Sequence, residues 1–191
     1  MALILVISGP AGVGKTTICS KLLKEFKNSL SRVITTTTRP PRNDEVDGID
    51  YNFMDEAEFK IKLERGSFLE YEIIHGNFYG TQKSSVMNLL KSSKNILLNI
   101  DVKGAKSLRK EICENADYDG IYKSIFLKPE NIDVLKNRLL QRGSDNEQSI
   151  TSRLETAKSE LILAEEFDHV VISADRIKDY NSVREIYLCY K

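Results

Sequence analysis

Eight consecutive residues near the start of the chain satisfy the pattern G-x-x-x-x-G-K-[ST], which can bind phosphate. They read Gly9-Pro10-Ala11-Gly12-Val13-Gly14-Lys15-Thr16. The glycines allow backbone N–H groups to face phosphate oxygens, and the start of the following helix adds a favourable dipole. Lys15 can reach the β- and γ-phosphates, and the Thr16 hydroxyl can ligate Mg²⁺. This segment predicts binding of a nucleoside triphosphate, but GTPases, motors, transporters and kinases all share it.

The residues on either side of this segment predict the elements that position it. The apolar run from Met1 to Ile7 precedes it and is too short for a membrane span, and an amphipathic stretch follows it. Further along, apolar β-branched runs alternate with stretches of helical periodicity. This alternation predicts an α/β fold, in which a parallel sheet is covered by helices on both faces.

The boundaries of these elements follow from the pattern of apolar residues. Predicted strands are Ala2–Ile7, Arg32–Thr36, Asn95–Ile100, Gly120–Leu127 and His169–Ile172. Predicted helices lie near Lys15–Phe26, Thr81–Ser92, Lys103–Cys113, Glu130–Gln141 and Glu147–Glu166, and a last helix ends near Tyr190. The stretch 37–80 interrupts the alternation with Pro40-Pro41, a polar turn and a capping box that begins at Asp55. We expect it to be an inserted subdomain.

Length, charge and cysteine content limit the classes of function. With 191 residues and 41% hydrophobic content, the chain can bury one core, and we expect one domain. Its 28 basic and 28 acidic residues cancel, so no overall charge attracts nucleic acid or an anionic membrane. Cys19, Cys113 and Cys189 lack metal-ligand spacing, which is typical of reduced thiols. We expect a cytoplasmic protein, and its oligomeric state is left open.

Four separated segments carry a resemblance to a known family. The first reads Thr35-Thr36-Thr37-Thr38-Arg39-Pro40-Pro41-Arg42, followed two residues later by Glu45-Val46-Asp47-Gly48-Ile49-Asp50-Tyr51-Asn52-Phe53. It resembles the guanylate kinase signature S-x-T-T-R-x-P-R-x-x-E-x-x-G-x-D-Y-x-F. The others are Glu70 after Phe68-Leu69, Gly76-Asn77-Phe78-Tyr79-Gly80-Thr81, similar to G-N-Y-Y-G-T, and Asn99-Ile100-Asp101-Val102-Lys103-Gly104-Ala105, similar to D-I-D-x-Q-G-A.

The resemblance implies a fold and an activity. The fold is the P-loop NTPase type, with core segments 1–34, 82–128 and 167–191, a GMP-binding insertion 35–81 and a helical lid 129–166. The activity is phosphorylation of GMP, and also dGMP, by ATP with Mg²⁺ as part of purine nucleotide metabolism. The implied ATP-binding residues are Gly9, Pro10, Ala11, Gly12, Val13, Gly14, Lys15, Thr16 and Thr17.

The same resemblance implies which residues hold GMP. Its phosphate would meet two arginines and two tyrosine hydroxyls, which are Arg39, Arg42, Tyr51 and Tyr79. Glu70 would accept from N1–H and the 2-amino group of guanine, and Thr35 and Thr81 would meet O6. Adenine has an acceptor at N1 and no 2-amino group, so a carboxylate there disfavours AMP. Asp101 would either orient a metal-bound water or contact the guanine or ribose side of GMP.

The implied catalytic residues are cations that neutralise the transferring phosphoryl group. They are Lys15, Arg42, Arg138, Arg142 and Arg153. Arg138 and Arg142 are four residues apart, so they share one face of the predicted helix, and the segment is similar to the family's lid, R-L-x-x-R-G, followed by R-L. No general base is required, because the attacking oxygen of GMP is already ionised near neutral pH.

The chain departs from the family pattern at several positions, and two other functions compete with GMP phosphorylation. Ala11 replaces a serine, Asn99 an aspartate and Lys103 a glutamine, while Ser173-Ala174 stands where asparagine and aspartate are usual.

One alternative is a nucleoside monophosphate kinase for another base, which Glu70 disfavours. The other is a catalytically inactive guanylate-kinase-like module that binds protein partners. Lys15, which is retained in the phosphate-binding loop at residues 9–16 (the P-loop), disfavours it.

Overall fold

The structure, a computed structural model, describes residues 2–74, 76–92, 94–115, 120–141 and 147–191. The strands within these ranges are β1 (Ala2–Ser8), β2 (Leu30–Arg32), β3 (Thr36–Thr37), β4 (Asn52–Phe53), β5 (Phe68–Ile74), β6 (Asn77–Gln82), β7 (Asn95–Asn99), β8 (Gly120–Pro129) and β9 (His169–Ser173). The helices are α1 (Lys15–Glu25), α2 (Glu56–Glu64), α3 (Lys83–Lys91), α4 (Val102–Glu114), α5 (Ile132–Gln141), α6 (Glu147–Ile162) and α7 (Arg176–Tyr190), with a 3₁₀ turn at Leu163–Glu166.

The strands form two sheets. Five of them lie in the order β2-β7-β1-β8-β9, and four lie in the order β4-β3-β6-β5. In the first sheet, β2 pairs with β7 and β8 pairs with β9, both in parallel. The predicted α/β fold, with a mostly parallel sheet flanked by helices, is confirmed.

The chain divides into two compact units. Unit 1 contains Met1–Ile4, Ser29–Leu98 and Lys103–Tyr122, and unit 2 contains Leu5–Asn28, Asn99–Val102 and Lys123–Lys191. The second sheet lies within unit 1. The glycine segment that follows β1 and the helices α5, α6 and α7 lie within unit 2.

Burial along the strands matches their place in the five-stranded sheet. The apolar side chains of β1 from Leu3 to Ile7 are buried without alternation, as are Ile96–Leu98 of β7 and Ile125–Leu127 of β8. Such continuous burial is expected of parallel strands with helices on both faces. At the end of the strand order, β9 exposes Val170 and Ile172 instead. None of the helices in the described ranges combines the length and apolar character needed to cross a bilayer.

Sequence predictions about element boundaries were wrong at several places, two of them where residues pair in the second sheet. The predicted strand Arg32–Thr36 is two strands, because β2 ends at Arg32 in the first sheet and Thr36 pairs with Asn52 and Gly80 in the second. The predicted helix Thr81–Ser92 begins only at Lys83, because Thr81 pairs with Glu70 on β5. In both cases the pairing partner lies far away in sequence, so local periodicity could not reveal it.

The second sheet packs against α2 through aromatic side chains. Asp55 caps this helix by accepting a 2.7 Å hydrogen bond from the backbone N–H of Glu58, as the predicted capping box requires. Phe59 of α2 stacks on Phe68 with ring centroids 4.3 Å apart. A Cβ at Gly80 would lie 2.8 Å from Phe68, so only glycine fits the strand beneath this stack. The packing fixes β5 and β6, which carry two of the predicted guanine-binding residues, Glu70 and Thr81.

Candidate active site

The glycine segment forms a tight loop between β1 and α1. Gly9, Gly12 and Gly14 have φ of 134°, 87° and 115°, in the left-handed region that glycine adopts without strain. A Cβ at Gly9 would lie 2.4 Å from the carbonyl oxygen of Leu127, and one at Gly12 would lie 3.3 Å from Cδ2 of Leu139. The loop therefore needs glycine at position 9 for space as well as for conformation, whereas at position 12 the positive φ is the main requirement.

The loop curls around the ammonium group of Lys15. Its Nζ donates hydrogen bonds of 2.5 Å to the carbonyl oxygen of Gly9 and 3.1 Å to that of Pro10. The backbone N–H of Val13 donates to the same Pro10 carbonyl at 3.3 Å, which closes the turn. The positive charge is thus already at the loop that the sequence predicts to bind phosphates.

Thr16, which follows this lysine in sequence, and Asp101 are the residues suited to a metal ion. Thr16 is exposed, and its Oγ1 accepts a 3.4 Å hydrogen bond from Nδ2 of Asn99. Asp101 is half-buried directly before α4. No cluster of three or more His, Cys, Asp or Glu side chains that could hold a metal occurs in the part of the chain that the structure describes. One hydroxyl and one carboxylate suit Mg²⁺ that is held mainly by substrate phosphates and water.

A cavity of about 270 Å³ extends from the loop along α1 to α7. It is lined by Gly12, Val13, Gly14, Thr17, Ile18, Arg138, Gln141, Arg176 and Asp179. All of these residues belong to unit 2. The wall combines loop backbone with two arginines and a carboxylate, so the cavity can hold part of a polar, anionic ligand.

Arg138, the first of the predicted lid arginines, reaches the loop directly. Its Nη1 donates 2.8 Å to the carbonyl oxygen of Val13 and 3.2 Å to Oγ of Ser173. The apolar side of α5 is buried beside it at Leu135 and Leu139. Arg153 lies half-buried on α6, and Arg142 lies outside the described residues. The structure thus places one predicted lid arginine at the P-loop.

Glu70 and Thr81 face each other on β5 and β6 in unit 1. They are paired across the ladder next to a register shift between Phe68 and Glu70. The Thr81 hydroxyl donates a 2.5 Å hydrogen bond to Oε1 of Glu70, and both residues are buried. Thr35, the other residue predicted near guanine O6, is also buried. A carboxylate has about four lone-pair sites, and this hydrogen bond uses one of them.

Arg39 is held by a carboxylate and two tyrosines. Its Nη2 donates to both carboxylate oxygens of Glu45, at 2.9 and 2.8 Å, and its Nε donates 3.2 Å to the Tyr79 hydroxyl. The guanidinium lies 5.6 Å from the ring centroid of Tyr51. Burial lowers the pKa of Arg39, but its bonds to Glu45 and Tyr79 more than offset this, and the pKa is raised overall. The group is a permanent cation.

Glu45 also contacts Arg42, and sequence reasoning gave this glutamate no role. It accepts a 2.8 Å hydrogen bond from the backbone N–H of Arg42, whose Nη1 lies 3.8 Å from Oε1. The side chain of Arg42 is 53% exposed, so this guanidinium is accessible to a ligand from solvent. The signal in the sequence was the position of Glu45 within the first signature segment, three residues after Arg42.

Tyr51 completes the aromatic side of this cluster. Burial, with the nearby Tyr79 adding to it, raises the pKa of the Tyr51 hydroxyl above its ordinary value. The rings of Tyr51 and Tyr79 meet edge to face with centroids 6.2 Å apart. The hydroxyl of Tyr51 therefore stays protonated at neutral pH and can donate a hydrogen bond to an anion.

Similarity to known proteins extends over nearly the whole chain. The guanylate kinase family profile matches residues 1–187. The chain belongs to the guanylate kinase family. It is 40% identical to a guanylate kinase of Clostridioides difficile (strain 630) over 173 residues, which cover 91% of this chain and 80% of that protein. It is also 40% identical to a guanylate kinase of Helicobacter pylori (strain ATCC 700392 / 26695) over 183 residues, or 96% and 85% of the two chains.

A solved structure of the guanylate kinase family agrees with this assignment. The crystal structure of guanylate kinase from Anaplasma phagocytophilum aligns with a TM-score of 0.78 and 26% identity. The alignment covers 98% of this chain and 85% of that one. The predicted P-loop NTPase type of α/β fold is therefore confirmed.

Proposed function

We propose that the protein transfers the γ-phosphoryl group of ATP to GMP, and also to dGMP, giving ADP and GDP. A phosphate oxygen of GMP forms the new bond to the γ-phosphorus, and the bond from that phosphorus to the oxygen bridging it to the β-phosphate breaks. The pairing of buried Glu70 with Thr81, in a chain of the guanylate kinase family, is the observation that carries this proposal. A fixed carboxylate accepts from the two donors on the guanine edge and not from adenine, which has an acceptor at N1.

The phosphate of GMP would bind to the cluster around Arg39. Arg39 and Arg42 offer guanidinium donors, and Tyr51 and Tyr79 offer hydroxyl donors. Glu45 bonds the guanidinium of Arg39 and the backbone N–H of Arg42, so it fixes the direction of the Arg39 side chain before a ligand arrives. A dianionic phosphate then competes with this carboxylate for the cations, and the exposed Arg42 is the one that can meet it first.

ATP would place its phosphates on residues 9–17 and extend into the cavity lined by Arg138 and Asp179. Thr16, with Asp101 acting through water, would hold Mg²⁺, which neutralises charge on the phosphates when bound. Lys15 and Arg138 add positive charge on the side of the loop that they already contact. We further propose catalytic contributions from Arg42, Arg142 and Arg153, by their positions in the family motifs.

The division of the chain and its compartment are also proposals. The strands of the second sheet all fall between Thr36 and Gln82, which supports an inserted GMP-binding subdomain at 35–81. A lid at 129–166 would contain α5 and α6, and the remaining segments would form the core. Cys19, Cys113 and Cys189 form no disulfide, which suits action in the reducing cytoplasm.

The experiment that tests this function is a comparison of acceptors. Purified protein with Mg-ATP is assayed for ADP release with GMP, dGMP, AMP, CMP and dTMP. We expect GMP and dGMP to be phosphorylated far faster than the other three. Equal rates with AMP would contradict the role given to Glu70. No turnover with any acceptor would favour an inactive module that binds protein partners.

A further inference from the structure

Asp179 is a buried carboxylate that the family resemblance gives no role. It lies in the first turn of α7 with 4% of its surface exposed. Its Oδ1 accepts a 3.1 Å hydrogen bond from the backbone N–H of Ala174, and its Oδ2 accepts one of 2.7 Å from Oγ of Ser173. A carboxylate is costly to bury, so its position calls for a physical reason.

Capping of α7 does not supply that reason. Asp175 is the N-cap of this helix, and its exposed side chain accepts hydrogen bonds of 2.9 Å from the backbone N–H groups of both Ile177 and Lys178. The helix start therefore already has the side-chain acceptor that it needs. The buried charge of Asp179 instead faces Ser173, which is fully buried.

The contacts of Ser173 show what the carboxylate does. Its hydroxyl has one proton and lies 2.7 Å from Oδ2 of Asp179 and 3.1 Å from the carbonyl oxygen of Val13. The shorter contact to a charged acceptor takes the proton. A lone pair of the hydroxyl is then left for Nη1 of Arg138, at 3.2 Å. Asp179 thus sets the direction of the hydroxyl so that it accepts from the guanidinium.

We propose that Asp179 is a positioning residue, which acts through Ser173 to hold Arg138 against the P-loop for binding of the nucleoside triphosphate. Arg138 and Asp179 both line the cavity that continues from the loop, and Arg138 also donates to the P-loop carbonyl of Val13. The proposal rests on the proposed function, because it assumes that the triphosphate occupies this cavity. Fixing the arginine before binding reduces the entropy lost when the ligand arrives.

The pair Ser173 and Asp179 also offers an explanation for a departure from the family pattern. An asparagine at position 173 would carry a donor and an acceptor on one side chain, which suffices to meet both Val13 and Arg138. Serine is shorter and has a single hydroxyl, whose direction must be set by a neighbour. Asp179 sets it here. The double variant Ser173→Asn with Asp179→Ala should therefore recover what Asp179→Ala loses.

The test measures binding of a non-hydrolysable ATP analogue with Mg²⁺ to the full chain by calorimetry, alongside binding of GMP. We expect Asp179→Ala to raise the Kd of the analogue about tenfold, the loss of one charge-assisted contact. Asp179→Asn keeps an acceptor for the hydroxyl without the charge, so its effect should be smaller. The Kd of GMP should stay unchanged in both variants, and the double variant should regain most of the affinity for the analogue.

Asp175→Ala is the matched control, since it removes the helix cap from the same turn. It should lower the melting temperature and leave the Kd of the analogue unchanged. The proposal would be overturned if Asp179→Ala and Asp179→Asn bound the analogue as tightly as the unchanged chain does. It would also be overturned if the double variant folded but did not regain affinity for the analogue. Equal losses for the analogue and GMP would indicate a merely structural role, which also overturns it. Lys15→Ala separates the two proposals: if it leaves the Kd of the analogue unchanged, the triphosphate site itself is misplaced.

Discussion

The hydroxyl of Thr81 donates a 2.5 Å hydrogen bond to Oε1 of Glu70, and this bond is buried between β5 and β6. Thr81 has one proton, so while it donates to the carboxylate it does not donate to a ligand. A role of Thr81 at guanine O6 stays a prediction, and it requires the hydroxyl to turn. In the structure, Thr81 orients the carboxylate that would accept hydrogen bonds from the guanine base.

Replacement of Glu70 by glutamine tests whether its carboxylate binds the guanine base. In Glu70→Gln, one donor of guanine would face the amide N–H₂ group instead of a carboxylate oxygen. We expect the Kd of GMP, measured by calorimetry, to rise about tenfold to a hundredfold. Glu64→Gln, an exposed position at the end of α2, makes the same chemical change and should leave the Kd unchanged. Unchanged GMP affinity in Glu70→Gln would place the guanine base elsewhere.

The close approach at Gly9 yields a prediction about stability. Gly9→Ala would place a Cβ 2.4 Å from the Leu127 carbonyl oxygen, and neither backbone can move without disturbing β1 or β8. We expect its free energy of unfolding, measured with urea, to fall by more than about 2 kcal/mol. Gly66 also has positive φ, but a Cβ there would meet nothing within 4 Å. The stability lost in Gly66→Ala therefore reflects backbone conformation without a steric clash. That control should lose only about 1 kcal/mol. Equal losses in the two variants would mean that the clash at Gly9 is relieved.

Local pattern was sufficient for the elements that surround the P-loop. The apolar run of β1, the three glycines and Lys15 are adjacent in sequence, so their structure follows from neighbouring residues. Thr36 pairs with Gly80, 44 residues away (80 − 36), and Thr81 pairs with Glu70, 11 residues away (81 − 70). The element boundaries predicted at both threonines were wrong. Strand pairing depends on such distant contacts, which propensity does not encode.

The same limit applies to the site. The signature segments named Arg39 and Arg42, but the bonds that Glu45 makes to both depend on how a polar turn folds back. Asp179 could not be found from its spacing, because its role depends on Ser173, Val13 and Arg138 meeting in space. Motifs give the residues that contact ligands, whereas the residues that orient them become visible only in three dimensions.

A contact between α1 and α7 predicts a dependence of stability on alkaline pH. The Tyr180 hydroxyl donates to Glu25, and burial together with this bond raises the pKa of Tyr180 to about 12. An unfolded tyrosine has a pKa of about 10. Between these values the unfolded chain releases a proton that the folded chain keeps, so the unfolded state binds fewer protons and stability falls as pH rises.

This decline should be smaller in Tyr180→Phe, which has no proton to release. Free energies of unfolding in urea at about pH 9 and pH 11, on either side of the ordinary tyrosine pKa, measure the decline in each protein. Tyr71→Phe leaves the bond between Tyr180 and Glu25 intact, so its stability should fall as steeply as that of the unchanged chain. A decline of the same size in Tyr180→Phe would show that the bond is broken in solution.

Loss of the P-loop lysine should separate the two substrates. Lys15 belongs to unit 2, and Arg39 and Glu70 belong to unit 1, so Lys15→Ala removes positive charge from the triphosphate side alone. We expect turnover of GMP to fall at least about a hundredfold, because charge on the transferring phosphoryl group is no longer neutralised. The Kd of GMP, measured by calorimetry without ATP, should remain unchanged. Lys24→Ala, an exposed lysine in the last turn of the same helix, should retain both properties. If Lys15→Ala weakened GMP binding as strongly as it slowed turnover, the two subsites would not be separable. The assignment of each substrate to its own unit would then have to be abandoned.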